Sequence, residues 1–253
     1  MADCPPRART QSAPVALLGT HFGFAQTASE CLGQGGKTNT MGKKMKFHIE
    51  GLKNKQISVL RKIAPIIQPG AFHLAGGTAL AIYFGHRVSE DLDWFTSNPM
   101  GDAMVLAQSL RSEELNFVTE QIAPGTLHGA ISGVRVTFLE FLYPLLKAPT
   151  QWQEMGCELA SLEDLACMKL SAIAQRGARK DFCDIFALGK KQFSLDEMLV
   201  LYRKKFSVHD ISPILYGLTY FDDAESERMP KMLWKVKWAE IKETIQSWLK
   251  ALS

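Results

Sequence analysis

Gly76 and Gly77 close the apolar run AFHLAGG, an interval of thirteen residues follows (78–90), and then come Asp91 and Asp93. Glycines at the end of a strand let the backbone turn sharply and present N–H groups. A helix opened there adds the positive end of its dipole, and the combination suits a triphosphate. Two aspartates two apart on a strand point to the same side, so both carboxylates can grip one divalent ion. Magnesium favours such hard oxygen ligands and shares its shell with substrate phosphates. A Gly-Gly turn alone is common, and an exposed D-x-D on a strand is ordinarily a solvated face. The joint order of strand, glycine pair, helix and D-x-D strand is much rarer, and it reads as a phosphate cradle facing a metal site.

The elements that must hold these residues are legible around them. KNKQISVLRKIAPII (53–67) has apolar residues at helical spacing, AFHLAG (71–76) reads as a short strand, and TALAIYFGHR (78–87) as a short helix. DLDWFT (91–96) alternates, with Leu92 and Trp94 on one face and Asp91 and Asp93 on the other. A helix is expected over 99–112, then three strands in LNFVTEQI, LHGAIS and VRVTFLEFL, separated by Pro-Gly and Ser-Gly turn signals. After Pro149 the pattern predicts helices over 161–177, 178–191, 194–206, 208–218 and 235–252. The first of these opens on Ser161 with Asp164 three residues on, a variant of the capping box. The expected organisation is a tail over 1–44, an α/β half over 45–149 and a helical half over 150–253.

Composition narrows the partners. The chain has 253 residues, 46% apolar and 22% charged, enough for a sizeable core. Residues 1–44 carry five basic and two acidic residues, so the net charge of +3 belongs to the tail and the remaining 24 basic and 24 acidic residues balance. A whole-domain field for nucleic acid is therefore absent, although a local basic patch is still allowed. The tail is rich in Pro, Gly, Ser, Thr and Ala and is expected to be disordered; its apolar stretch APVALLGTHFGFA makes a poor signal peptide. Met41 or Met45 is a candidate natural start, because patterned sequence begins there. Five cysteines without a CxxC pair argue against a disulfide framework or a zinc site and fit a reducing cytoplasm. No apolar run approaches the ~18 residues of a membrane helix.

The glycine pair and D-x-D together resemble the first motif of the DNA polymerase β-like nucleotidyltransferase superfamily. More narrowly, GGTALAIYFGHRVSEDLDWF and ASLEDLACMKLSAIAQRGARKDFCDIFAL resemble the AbiEii/AbiGii toxin family of nucleotidyltransferases, over about residues 70–190. The resemblance implies an α+β fold, with a mixed sheet and flanking helices followed by a C-terminal helical domain. It implies Asp91 and Asp93 as ligands of Mg2+ or Mn2+, and Gly76, Gly77 and Thr78 as phosphate contacts. Arg87 and Ser89 would contact phosphate or brace the loop. Lys169 would reach the nucleotide phosphates, with Arg176, Lys180 and Asp181 lining the same cleft. Lys169 could equally snorkel beside core residues, and the run RGARKDFCD could be a solvated helix start near Asp181 and Asp184.

The resemblance further implies a third carboxylate from a later strand, VRVTFLEFL. If Val134, Val136 and Phe138 pack inward, the open face carries Arg135, Thr137 and Leu139, and Thr137 stands where the acid is expected. Glu140 has the right chemistry and serves only if a bulge or strand end re-aims it. Strand parity favours Thr137. His73 reads as a core residue, His86 as a phosphate contact or a helix-end residue, and Cys167 and Cys183 as core. Trp234, Trp238 and Trp248 read as helix packing in preference to a partner surface.

The expected function is metal-dependent transfer of a nucleoside monophosphate from an NTP to an acceptor hydroxyl. The resemblance implies an acceptor in RNA such as tRNA, or in protein, and a cognate antitoxin as partner. A small-molecule acceptor is a variant of the same reading. The alternative is a degenerate nucleotidyltransferase that binds nucleotide or a partner without chemistry.

Overall fold

Helix α1, Asn54–Ile67, buries Val59, Leu60, Ile63, Ala64 and Ile67 along one side, as the apolar spacing requires. Its first turn is closed by the Lys53 N–H donating to Gln56 Oε1 at 2.9 Å. The computed structural model describes residues 46–112 and 115–252, so the expectations for 1–44 lie outside the described residues.

Strand β1 is only His73–Leu74, and helix α2, Gly76–Phe84, starts on the glycines themselves rather than after them. It ends at Gly85, so His86 and Arg87 lie beyond the helix instead of in its last turn. Strand β2, Leu92–Thr96, alternates buried and half-buried residues, with Leu92 and Trp94 fully buried and Asp93 on the opposite face. Helix α3, Ala103–Ser112, begins later than position 99, after Pro99 and Gly101, with Asp102 Oδ1 accepting the Met104 N–H at 2.8 Å. Strands β3 (Phe117–Ala123), β4 (Thr126–Ile131) and β5 (Val134–Glu140) form the expected meander. The β4–β5 turn uses Ser132 and Gly133, both at positive φ, the geometry that fits the twist of a two-residue hairpin.

Helices do not follow directly on Pro149. Two three-residue strands intervene, β6 (Thr150–Trp152) and β7 (Cys157–Leu159), too short to carry a periodic signal. They complete a seven-stranded mixed sheet among the described residues, in the order β3-β4-β5-β2-β1-β7-β6. Neighbouring strands run parallel at β2/β5 and β1/β7 and antiparallel elsewhere.

The helical portion contains α4 (Leu162–Gln175), α5 (Arg179–Lys191), α6 (Leu195–Phe206), α7 (Ser212–Thr219), the short α8 (Asp222–Glu225) and α9 (Trp238–Lys250). Helix α7 starts at Ser212 because Pro213 suits a first turn, which shortens the expected 208–218 run at its front. Helix α2 packs on α4 and α5, so the glycine-opened helix faces the helical portion rather than solvent. Phe182 packs against Phe221 and Trp238, and Trp248 stacks on Phe186, which accounts for two of the C-terminal tryptophans as helix packing. Cys167 and Cys183 are fully buried among the helices. The described residues from 46 to 252 form one compact unit.

Ser161 caps α4 by accepting the Asp164 N–H at 3.1 Å. The buried Asp164 carboxylate also accepts the Leu146 N–H at 3.1 Å and pairs with the buried ammonium of Lys205 on α6 at 2.5 Å. Removing one partner of such a pair strands the other charge in the interior. Lys205→Met should therefore destabilise the protein by about 3–5 kcal/mol, read as a lower urea midpoint at unchanged slope.

Candidate active site

Gly76 adopts φ +63°, and a Cβ placed on it would meet Asp93 Oδ2 at 2.7 Å. A Cβ on Gly77 would meet Arg87 Nη2 at 2.1 Å. The glycines are thus needed for two reasons: the first takes a left-handed backbone and admits a carboxylate, and the second admits a guanidinium. The Ala75 N–H donates to the Asp93 carbonyl at 2.8 Å, which holds the start of α2 against β2. The backbone N–H groups at the start of α2 and the Asp93 carboxylate are therefore brought together.

Thr78 and Ser89 lie beneath this turn. The Thr78 hydroxyl donates to the Asp91 carbonyl and sits 2.8 Å from the Ser89 hydroxyl, and both residues are buried. Their geometry braces the segment between α2 and β2. Arg87 does the same on a longer reach: its Nε and Nη2 donate to Asp184 Oδ1 and Oδ2 at 2.7 and 2.9 Å, and its Nη1 to the Val88 carbonyl at 3.1 Å. His86 donates from Nε2 to Asp184 Oδ1 at 2.7 Å and is fully buried, so its ring faces a carboxylate and not the cleft. His73 is a core residue, its imidazole pushed down to about 4 chiefly by burial.

Lys169 of α4 is buried with its ammonium 2.9 Å from Asp181 and 2.6 Å from Asp184. Arg176, more than half exposed, donates to both oxygens of Asp181 at 2.7 and 3.0 Å. The start of α5 is accordingly not a solvated helix start: Asp181 and Asp184, one helical turn apart, are both fully buried and together hold Arg87, Lys169 and Arg176. Burial alone would raise the Asp184 carboxyl, yet the charges of Arg87 and Lys169 and the hydrogen bonds from His86 and Arg87 hold it well below the ordinary value of 3.8. Lys180 is exposed. Sequence reading missed Asp184 as a partner in this cluster; its spacing of three from Asp181 was the available signal.

Asp93 behaves in the opposite way. Burial raises its carboxyl above 3.8, the neighbouring Asp91 raises it further, and the positive charges of Lys169, Lys180 and Arg176 oppose the rise. Asp91 itself pairs with Arg135 of β5, at 2.9 Å to Nε and 2.8 Å to Nη2, a contact the open-face pattern placed within reach without revealing. Among the described residues no three or more His, Cys, Asp or Glu cluster as metal ligands, so the aspartates stand as a pair.

The register places Thr137 directly opposite Asp93. Glu140 pairs with Thr96, on the buried face of β2, and its carboxylate accepts the Met100 N–H at 2.7 Å. The structure therefore does not bring Glu140 to Asp91 and Asp93. No bulge interrupts the β2–β5 register that would turn it there.

The family model described as Nucleotidyl transferase AbiEii toxin, Type IV TA system, matches residues 59–138 and 146–250. An uncharacterized protein of Aquifex aeolicus (strain VF5), aq_aa25, is 36% identical over 195 residues, covering 76% of this chain and 93% of that protein. Among solved structures, JHP933 from Helicobacter pylori superposes with a TM-score of 0.50 at 19% identity, over 79% of this chain and 94% of that one, and so shares the fold. MenT4, a nucleotidyltransferase toxin of Mycobacterium tuberculosis, gives a TM-score of 0.45 at 12% identity over 78% and 83% of the two chains.

The geometry yields two stability predictions. Gly77→Ala must displace the Arg87 guanidinium and should cost roughly 1–3 kcal/mol in chemical denaturation. Because the folded-state carboxyl of Asp93 lies above its unfolded value, its ionisation destabilises the fold at neutral pH. Asp93→Asn should therefore raise the melting temperature at pH 7. The gain should shrink as pH falls through the folded-state pKa and vanish below 3.8, which melting curves across that range will check.

Proposed function

Because this chain belongs to the AbiEii family of nucleotidyltransferase toxins, we propose that it moves a nucleoside monophosphate from an NTP to an acceptor hydroxyl, releasing pyrophosphate. The acceptor in this reading is RNA such as tRNA, or protein, and a separate cognate antitoxin restrains the activity. The observation that carries the proposal is the meeting of Asp91 and Asp93 with the N-terminus of α2, on the side where Lys169, Arg176 and Lys180 raise the local positive potential.

In this reading Gly76 and Gly77 offer backbone N–H groups to the triphosphate, and Arg176 and Lys180 meet its outer charge from the helical portion. Asp181 fixes Arg176 and Lys169 in place, while Thr78, Ser89 and Arg87 hold the intervening segment rigid. Asp91 and Asp93 would hold a divalent cation, Mg2+ or Mn2+. The residues fit one: two hard oxygen donors face the same side, and the Asp93 carboxyl, raised first by burial and then by Asp91, is a charge that a cation would stabilise. Such an ion, when bound, withdraws charge from the phosphates. The pair of Asp91 with the exposed Arg135 is of the kind worth about 1 kcal/mol or less, so it yields to a stronger partner.

No helix among the described residues is long and apolar enough to cross a membrane. Cys157, Cys167 and Cys183 are free and buried, which supports placing the protein in a reducing cytoplasm.

Incubation with each α-labelled NTP, magnesium and total cellular RNA or protein should place label in one acceptor class. Asp91→Asn and Asp93→Asn should each reduce labelling by about 10²-fold or more while the fold persists. Label nowhere, small molecules included, would return the chain to the binding-module reading, which Thr137 at the third-acid position favours.

A further inference from the structure

We propose that His128 is the general base of the transfer, receiving the proton of the acceptor hydroxyl. The inference rests on the nucleotidyl-transfer reading above and supplies what the site lacks. Asp93, Thr137 and His128 are paired residue to residue across three adjacent strands: Asp93 of β2 with Thr137 of β5, and Thr137 with His128 of β4. Directly paired residues project from the same face, so the three side chains form one row on the open face. Strand spacing puts His128 roughly 10 Å from Asp93 at the Cα positions, with Thr137 between them.

Three observations single out His128. Thr137 stands where a third carboxylate is expected and is too weak a base to replace one. Glu140, the nearest acid along β5, is on the other face and is held by the Met100 N–H. Of the remaining acids, Asp91 and Asp93 are the cation ligands of that reading, and Asp181 and Asp184 are held by Lys169, Arg176 and Arg87. His128 is half-buried, and its Nδ1 lies 3.2 Å from Thr137 Oγ1. With Nδ1–H donated to Thr137, the free electron pair sits on Nε2. Thr137 is then a positioning residue that orients the ring.

The step balances within the reactants. The acceptor oxygen forms a bond to the α-phosphorus as the bond from that phosphorus to the bridging oxygen of the β-phosphate breaks. The electron pair leaves with pyrophosphate, and the hydroxyl proton passes to His128 Nε2.

The test uses the full chain with α-labelled NTPs, magnesium, and total RNA and total protein in separate reactions. His128→Gln keeps a hydrogen-bonding amide beside Thr137 but has no base, and should slow transfer by about 10²–10⁴-fold while NTP affinity stays within about twofold. His128→Ala should be equally slow, and added imidazole should restore its rate at least about tenfold, a readout that a structural role would not produce. A His128→Gln rate within about threefold of the unaltered protein overturns the assignment, as does a slow His128→Ala that imidazole leaves unchanged. Lost NTP binding together with a lowered melting temperature in both variants also overturns it, by making His128 a structural residue. If the unaltered protein transfers label to no acceptor, whether RNA, protein or small molecule, the transfer reading falls and takes this one with it; label in the unaltered protein with an indifferent His128→Gln removes His128 alone.

Discussion

Asp184 sits at full burial on α5 and is met by Arg87 through two hydrogen bonds, by His86 through one and by the Lys169 ammonium at 2.6 Å. An unpaired carboxylate at that depth would carry a severe desolvation penalty, so its ionised form exists only because these cations surround it. The reverse is equally true: Arg87 and Lys169 are buried cations that need Asp184. The mutual requirement fastens the segment that leads into β2 onto α4 and α5. It also dictates a glycine at position 77, where any side chain would collide with the Arg87 guanidinium. The glycine turn that opens α2, strand β2 and helices α4 and α5 are thus held in one arrangement by a single buried carboxylate.

Asp93 shows the other half of this electrostatic design. Its surroundings are crowded and it faces Asp91, so its charged form is disfavoured, whereas Asp184 is driven in the opposite direction by cations in contact. Environment alone drives the two aspartates in opposite directions: contacting cations favour the anion at Asp184, while burial and then Asp91 disfavour it at Asp93. Perturbed groups of the second kind concentrate at functional sites, because the fold tolerates their cost in return for reactivity. Membership of a nucleotidyltransferase family and the geometry around Asp93 point the same way for independent reasons, one historical and one electrostatic.

The sheet register decides which residue of β5 lies beside Asp93. The β2–β5 pairing is regular from Leu92 to Thr96, and this regularity leaves Thr137, not Glu140, beside the aspartates. The neighbouring β4 adds His128 to the same row. A base recruited from one strand further out is a physically economical replacement for a missing acid, since imidazole is longer than a carboxylate side chain and the register does the aiming.

By itself the sequence determined what depends on neighbours a few positions away. Alternation through DLDWFT put Asp91 and Asp93 on one face, alternation along β5 gave the inward set of Val134, Val136 and Phe138, and Ser161 with Asp164 marked the start of α4. These features follow from backbone periods of two and 3.6 residues and from local hydrogen bonding, so they are readable in a short window. The tertiary structure alone decided the partners of charged side chains. Arg87 and Asp184 are 97 positions apart, and nothing in either local pattern distinguishes a buried ion pair from two solvated charges. The same holds for Arg87, Thr78 and Ser89 as braces, for the capture of Glu140 by Met100, and for β6 and β7, whose three residues each carry no period. Periodicity is a property of one element, whereas pairing and register belong to two elements at once and are fixed only when the core brings them together.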